Sequence, residues 1–174
     1  MKYNLGSRII HWLMAILIIG ELCLGIFMDE FLPDEASYRY TIYDIHKSIG
    51  VSIFLLLVLR IVIRLIAKTP QLPATMSVIE QRLAKLGHLT LYFLMIMVPV
   101  SGYLMSSFAG YPVKLFGAII PSIVAVNFDY AEIASEIHEA CAYFLLAVIG
   151  VHILAVIKHR YFDKAENDVL KRMI

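Results

Sequence analysis

The chain contains little cysteine and little charge. Its 174 residues include 2 cysteines, and charged residues make up 17% of the sequence. Neither Cys23 nor Cys141 belongs to a C-x-x-C-H motif, which excludes covalent attachment of a haem through cysteine. With hydrophobic residues at 60%, the composition also excludes an ordinary soluble globular domain, which carries more charge and less apolar material. The sequence therefore indicates a membrane protein.

Four apolar segments account for most of the chain. Each is close to the ~20 residues that a helix needs to cross the hydrocarbon core of a bilayer. We therefore predict an all-α fold: an integral membrane four-helix bundle, formed by a single domain of residues 1–174 with a tail at 159–174. The spans are expected at approximately 8–28, 46–67, 86–108 and 137–158. The segment that follows the third span is apolar but interrupted by glycine and proline, which favours a lid or re-entrant segment over a fifth span.

Polar residues near the starts of these segments predict the helix caps. Ser7 is expected to cap the first helix, and T-x-x-D from Thr41 resembles a capping box for the second. Ser77 and Glu80 form a capping box that starts the third helix before its apolar segment begins. Asp129 is expected to cap the fourth.

The basic residues are distributed unevenly between the two sides of the membrane that this topology creates. Because basic loops stay on the cytoplasmic side, we predict that both termini are cytoplasmic. The basic residues flank the spans, where they suit contacts with lipid headgroups and do not indicate nucleic-acid binding. The opposite side keeps only Arg39, Lys47 and Lys114. The remaining 12 of the 15 basic residues are Lys2, Arg8, Arg60, Arg64, Lys68, Arg82, Lys85, Lys158, Arg160, Lys164, Lys171 and Arg172.

The fourth span carries two histidines, His138 and His152, on one face. Fourteen residues correspond to nearly whole helical turns and to a rise of ~21 Å, most of the thickness of the hydrocarbon core. Polar side chains at such depth usually face the protein interior and serve a function. Because neutral imidazole is a common axial ligand of haem iron, the pair predicts two haem levels.

Histidines on the first two spans lie at matching depths. His11 is about one turn inside the cytoplasmic boundary, level with His152, and His46 is at the outer end of the second span, level with His138. We therefore predict two non-covalent haems b, each held by two histidines from different helices. Gly50, one turn below His46, would let a flat macrocycle approach the backbone, although ordinary helix packing would also explain it. Two axial imidazoles leave iron no open position, which favours electron transfer over oxygen chemistry.

Two further histidines, His88 and His159, remain near the cytoplasmic face beside Arg82 and Lys85. They are candidates for a quinone site, because quinone reduction requires protons that a histidine can deliver near neutral pH. Hydrated histidines at the membrane interface are the alternative.

Charged side chains within the spans allow two interpretations each. Arg60 and Arg64 share a face and either reach lipid headgroups or pair with haem propionates. Glu21 lies mid-span, where it is hydrogen-bonded within the bundle or belongs to a proton path.

Several motifs together resemble the bacterial cytochrome b-561 family over nearly the whole chain. They are R-I-I-H-W, H-K-S-I-G, L-G-H-L-T-L-Y with the following M-V-P-V-S-G-Y-L-M, and I-H-E-A-C-A-Y-F-L-L-A-V-I-G-V-H. The resemblance implies an inner-membrane dihaem b-type cytochrome with His11, His46, His138 and His152 as ligands. It further implies electron exchange with ubiquinone and, in some members, oxidation of superoxide at the periplasmic face.

The electron donor stays open at this point. Superoxide is an anion and the outer loops are acidic, so long-range electrostatics oppose its approach unless Arg39, Lys47 and Lys114 form a local positive patch. A cytochrome b subunit that relays electrons for a hydrogenase or dehydrogenase, with a protein as donor, is one alternative. A haem-free transporter or metal channel that uses the histidines and Glu21 is another.

Overall fold

The computed structural model describes residues 2–67 and 69–174. Met1, which the predicted domain includes, and Lys68, one of the basic residues counted above, lie outside the described residues. The structure consists of four long helices, a short β-hairpin and two 3-10 turns. The elements are α1 (Leu5–Glu30), α2 (Arg39–Ile66), α3 (Val78–Phe108), β1 (Val113–Leu115), β2 (Ala118–Ile120) and α4 (Phe128–Tyr161), followed by 3-10 turns at Ala165–Asn167 and Leu170–Arg172.

All four helices are long and apolar enough to cross a membrane. They contain 26 to 34 residues, and the most apolar 18-residue stretch of each has a mean hydropathy between 1.6 and 2.6. The buried core is small and includes Met14, Leu57, Leu94 and Leu145, one from each helix. Large apolar side chains cover the outside of the bundle instead. This arrangement is that of a bundle whose surface faces lipid, and it confirms the prediction of an all-α membrane four-helix fold.

The helices pack as two antiparallel pairs. α3 contacts α4 along its length and α1 contacts α2, whereas α1 and α4 touch only slightly. The bundle therefore opens between α4 and the α1–α2 pair. We call the end that carries both chain termini the terminal end and the opposite end, which carries β1 and β2, the hairpin end.

The predicted capping box of α3 is confirmed, whereas the predicted cap of α2 is wrong. The Oγ of Ser77 accepts the N–H of Glu80, and the Glu80 carboxylate accepts the N–H of Ser77, as the capping box requires. α2 instead starts at Arg39, ahead of Thr41, and Tyr38 before it provides no side-chain cap. The Arg39 guanidinium bonds to the preceding loop, so tertiary contacts extend the helix beyond the local signal.

Asparagines cap the two remaining helices, which corrects both predictions. Asn4 accepts the N–H of Ser7 at the start of α1, at 2.7 Å. Asn127 accepts the N–H of Tyr130 at the start of α4, at 3.1 Å. Asparagine, aspartate and serine are about equally good caps, so the sequence signal was misplaced by two or three residues.

The segment between α3 and α4 forms an antiparallel hairpin and no fifth span. Phe116 and Gly117 have φ values of 48° and 97°, the positive values that a tight two-residue hairpin turn requires. The hairpin packs on α2, where Ser48 Oγ donates to the carbonyl of Lys114 at 3.0 Å and accepts the N–H of Phe116 at 3.1 Å. It thus covers the hairpin end, as a lid would, without re-entering the bundle.

The tail folds back across the terminal end. α4 continues to Tyr161, three residues into the predicted tail, and two short 3-10 turns follow. Trp12 Nε1 donates to the carbonyl of Met173 at 2.9 Å, and the N–H of Tyr3 donates to the carbonyl of Arg172 at 3.1 Å. These bonds tie the C-terminus to the first turns of α1.

Candidate functional site

At the hairpin end, His46 of α2 faces His138 of α4. Their ring centroids lie 6.2 Å apart, with the ring planes at 88° to each other. Two imidazoles on opposite sides of one metal, each at a metal–nitrogen distance of roughly 2.0 Å, have centroids about 6 Å apart. The separation therefore fits two axial ligands of one iron.

The His138 ring is held by α3. Its Nδ1 lies 2.8 Å from the carbonyl oxygen of Val98, so Nδ1–H donates to that oxygen and Nε2 stays available for a metal. A Cβ placed on Gly102 would come within 2.9 Å of His138 Cε1 and 3.0 Å of its Nδ1. Glycine at position 102 is thus required for this position of the imidazole.

The His46 ring is held differently, by a carboxyl group. Oε2 of Glu21 on α1 lies 2.7 Å from Nδ1 of His46. The oxygen lies off the line of the ring N–H, so the contact is close without being an aligned hydrogen bond, and within the described ranges neither this Nδ1 nor Glu21 Oε1 has a hydrogen-bond partner. Glu21 is buried, with 9% of its surface exposed.

A cavity of about 310 Å³ lies around the two rings and reaches all four helices. Its wall is mostly apolar. Gly50 lines it, and a Cβ placed there would meet no atom within 4 Å, so this stretch of backbone borders open space. An apolar cavity with two facing imidazoles is what a non-covalent haem requires, and the residues present fit that group.

At the terminal end, the structure brings three histidines together. The rings of His88 on α3 and His152 on α4 have centroids 5.9 Å apart at an angle of 67°. His11 on α1 is near enough to both for their charges to interact, and so is Arg60. His88 was predicted to lie outside the haem levels, but it lies beside His152.

Helix spacing distinguishes the two possible partners of His152. α3 and α4 are in close contact, and helices packed at about 8–10 Å leave room for interdigitated side chains but not for a macrocycle. α1 and α4 barely touch, so His11 and His152 approach each other across the open side of the bundle. The spacing favours the pair His11 and His152.

Guanidinium groups surround this level. Arg60 Nε donates to the hydroxyl of Tyr92 at 3.2 Å, and Arg64 lies over the ring of Tyr92 at 5.5 Å. The Nε of Arg8 is buried without a partner among the residues that the structure describes. In those same ranges none of the three arginines forms an ion pair with a carboxylate. Arg60 thus lies near the histidines and bonds to α3 and to the first turn of α1.

His159 lies apart from the three histidines, at the boundary of α4. It is buried, and its Nδ1 is 2.7 Å from Oδ2 of Asp163. The N–H of Lys164, followed by the bond to His159, lowers the pKa of the Asp163 carboxyl to about 2. Glu80 also comes close and forms an ion pair with Lys158.

The quinone candidates therefore do not form one cluster. His88 joins the terminal histidines, His159 pairs with Asp163, and Arg82 and Lys85 are exposed on α3.

The three basic residues of the hairpin end differ in how they are paired. Lys114 Nζ lies 2.9 Å from Asp44, and Arg39 NH1 lies 2.8 Å from Asp34. Lys47 donates to a backbone carbonyl at 3.3 Å and, in the described part of the chain, has no carboxylate within ion-pair distance. Lys47 also lines the cavity next to His46. It is the cation of this end whose charge is not neutralised by direct pairing.

Comparison with known proteins identifies the family. The family described as prokaryotic cytochrome b561 matches residues 2–174. Cytochrome b561 homolog 2 of Escherichia coli (strain K12) is 32% identical over 174 residues, which cover 99% of this chain and 91% of the relative. The probable superoxide oxidase CybB of Yersinia pestis is 34% identical over 172 residues, 99% and 96% of the two chains. Cytochrome b561 homolog 1 of E. coli (strain K12) is 21% identical, with 99% and 97% covered.

Proposed function

The chain belongs to the prokaryotic cytochrome b561 family, and we propose that it is a dihaem cytochrome that carries electrons across a bacterial inner membrane to or from ubiquinone. Family membership makes it a membrane electron-transfer protein that binds b-type haem. The observation that carries the finer proposal is the facing pair His46 and His138, 6.2 Å apart across helices that otherwise stay separate.

Four histidines hold the two haems in this proposal. His46 and His138 would hold the haem at the hairpin end, and His11 and His152 would hold the haem at the terminal end. Haem held by two histidines would supply outer-sphere transfer of single electrons.

The protein between the two levels keeps water out. Met14, Leu57, Leu94 and Leu145 are buried and lie along their helices between the histidines of the two ends. This apolar layer separates the two faces of the membrane for protons and ions, while the helices keep the two ligand pairs about 21 Å apart along α4.

We place ubiquinone at the terminal end, where protons are available. His159 with Asp163 can hold and pass a proton, and His88 lies next to the histidine pair. Arg82, exposed at the headgroup level, is a candidate for contacts with the quinone head. Replacement of His159 with Ala should slow haem reoxidation by quinone, and an unchanged rate would remove it from the site.

Superoxide is the proposed donor at the hairpin end, which would be periplasmic. The relative named a probable superoxide oxidase supports this, and Lys47 provides an unpaired positive charge beside His46. Arg39 and Lys114 contribute less in this proposal, because each is paired with an aspartate. Two superoxide anions would each lose one electron and leave as dioxygen, and the two electrons with two protons would convert quinone to quinol. Rapid mixing of oxidised protein with superoxide should reduce haem faster than buffer alone does.

A subunit that relays electrons for a separate hydrogenase or dehydrogenase is the second candidate. The apolar outside of the bundle and its small polar ends would suit a relay subunit as well as a cytochrome that oxidises superoxide by itself. Copurification of a soluble redox partner would favour this candidate, and haem reduction by superoxide in the isolated protein would favour the first.

An absorption spectrum tests the proposal against a haem-free transporter or metal channel. The purified protein, reduced with dithionite, should show a b-type Soret band and an α band. A colourless protein would contradict the proposal.

The orientation of the protein in the membrane follows from charge. The hairpin end carries Arg39, Lys47 and Lys114, and the terminal end carries most of the other basic residues. Both termini are therefore proposed to be cytoplasmic. A reporter that works only in the cytoplasm should be active when fused to either terminus, and a reporter that works only outside the cytoplasm should be inactive there.

A further inference from the structure

Glu21 is the carboxyl group that the proposed electron path does not use, although it is buried in the middle of the bundle. Among the residues that the structure describes, no other aspartate or glutamate is buried inside the four long helices. Burying a carboxyl group is costly unless a partner compensates. Its partner is His46 Nδ1, 2.7 Å from Glu21 Oε2.

The two histidines of the hairpin end thus have unlike supports. His138 Nδ1 faces a backbone carbonyl of α3, which no substitution of a side chain can remove. His46 Nδ1 faces a side chain of α1, a helix that carries neither of the two ligands at this end. The partner of a ligand histidine fixes its tautomer and ring orientation and raises its basicity. A carboxyl group is a stronger acceptor for this purpose than a neutral carbonyl.

We propose that Glu21 is a positioning residue for the hairpin-end haem: when His46 binds iron, its ring turns so that Nδ1–H points at Glu21 Oε2, Nε2 faces the cavity, and His46 becomes the stronger electron donor of the two ligands. The inference rests on the proposed function, because it assumes that His46 binds iron. A stronger imidazole donor stabilises the oxidised iron, so Glu21 would lower the reduction potential of this haem relative to one without such a partner.

The packing of α1 against α2 explains why the carboxyl group next to His46 comes from α1. α1 and α2 form one of the closely packed pairs, so position 21 of α1 lies against the ligand-bearing turn of α2. Gly25, one turn further along α1, faces the same ring, and a Cβ there would lie 3.9 Å from His46 Cε1, at van der Waals contact. Positions 21 and 25 of α1 therefore both face His46.

Two substitutions of Glu21 and one matched control test the proposal by redox titration of purified protein. Glu21→Leu removes the acceptor and keeps a comparable size, and Glu21→Gln keeps an acceptor oxygen of lower strength. Glu139→Gln removes an exposed carboxyl that lines the same cavity next to His138, so it reports the effect of a nearby charge alone. Haem content, midpoint potentials and the low-spin signals in electron paramagnetic resonance are measured for each protein.

We expect an upward shift of the midpoint potential of one haem in Glu21→Leu, a smaller upward shift in Glu21→Gln, and little change in Glu139→Gln. The low-spin signal of the same haem should shift in the Glu21 variants. Loss of that haem in Glu21→Leu, with a shifted potential in Glu21→Gln, would also support the proposal. Equal potentials and unchanged signals in all variants, with both haems retained, would overturn it. Absence of haem from the unsubstituted protein would instead overturn the proposed function.

Discussion

The two ends of the bundle position the proposed haem ligands in two different ways. At the hairpin end each histidine has its own support, His46 from Glu21 and His138 from the Val98 carbonyl, and Gly102 shapes the space. At the terminal end three histidines share one level with arginines, and only helix spacing selects among them. One end is thus defined by contacts to the ligands and the other by the separation of helices. The hairpin-end histidines each have a defined neighbouring group, whereas the terminal end has a third histidine and arginines left over for a substrate.

The largest expected effect tests the ligand choice at the terminal end. His11→Ala should remove the terminal-end haem, whereas His88→Ala should retain it, because α3 and α4 are too close to hold a macrocycle between His88 and His152. Haem content and the reduced spectrum of both variants measure this. Loss of haem in His88→Ala with retention in His11→Ala would reverse the assignment.

A smaller effect is expected from crowding the hairpin end. Gly102→Ala would place a methyl group 2.9 Å from His138 Cε1, so the imidazole must move or the helices must part. We expect haem retention at this level to fall by roughly tenfold, the scale seen when groups behind a metal ligand are changed. Gly150→Ala is the control, since a Cβ there meets no atom within 4 Å. Equal haem retention in the two variants would show that the His138 position is not restricted by Gly102.

The basic residues of the hairpin end should differ in their effect on superoxide oxidation. Lys47→Gln should slow haem reduction by superoxide by about two- to fivefold at low salt, because Lys47 is the basic residue near His46 that, in the described part of the chain, has no carboxylate partner. Lys114→Gln should have less effect, since Lys114 is paired with Asp44. The rate constants should converge at high salt, and an equal decrease in both variants would contradict the distinction.

The smallest effect concerns the contact between Asp163 and His159 at the terminal end. The Asp163 pKa is lowered from 3.8 to about 2, so its folded-state bonds stabilise the protein above pH 3.8 and this stabilisation is lost as the pH falls toward about 2. Asp163→Asn should therefore lower the melting temperature slightly at neutral pH. The difference from the unsubstituted protein should vanish near pH 2. A difference that persists there would point to a contact other than the charge.

The number and type of the helices could be predicted from the sequence because lipid imposes a minimum apolar length. The depth of His88 in the bundle could also have been predicted from the sequence. The capping box at Ser77 starts α3, and ten to eleven residues at ~1.5 Å place His88 some 16 Å into the helix, level with His152. The prediction missed this because it measured depth from the apolar segment and not from the cap.

Other features depend on which helices pair and could not be read from periodicity. Glu21 meets His46 only because α1 packs against α2, and no local pattern encodes that contact. The hairpin was missed for a related reason. Its turn uses Phe116 at a positive φ, a conformation that residue type does not signal, and its strands are stabilised by bonds to Ser48 on α2.

The haem-to-polypeptide ratio of the His46→Ala, His138→Ala double variant tests the central claim most directly. The unsubstituted protein should hold two haems, each single variant one, and the double variant still one, because both histidines serve the same iron. A double variant that holds no haem, or that keeps two, would contradict the pairing of His46 with His138.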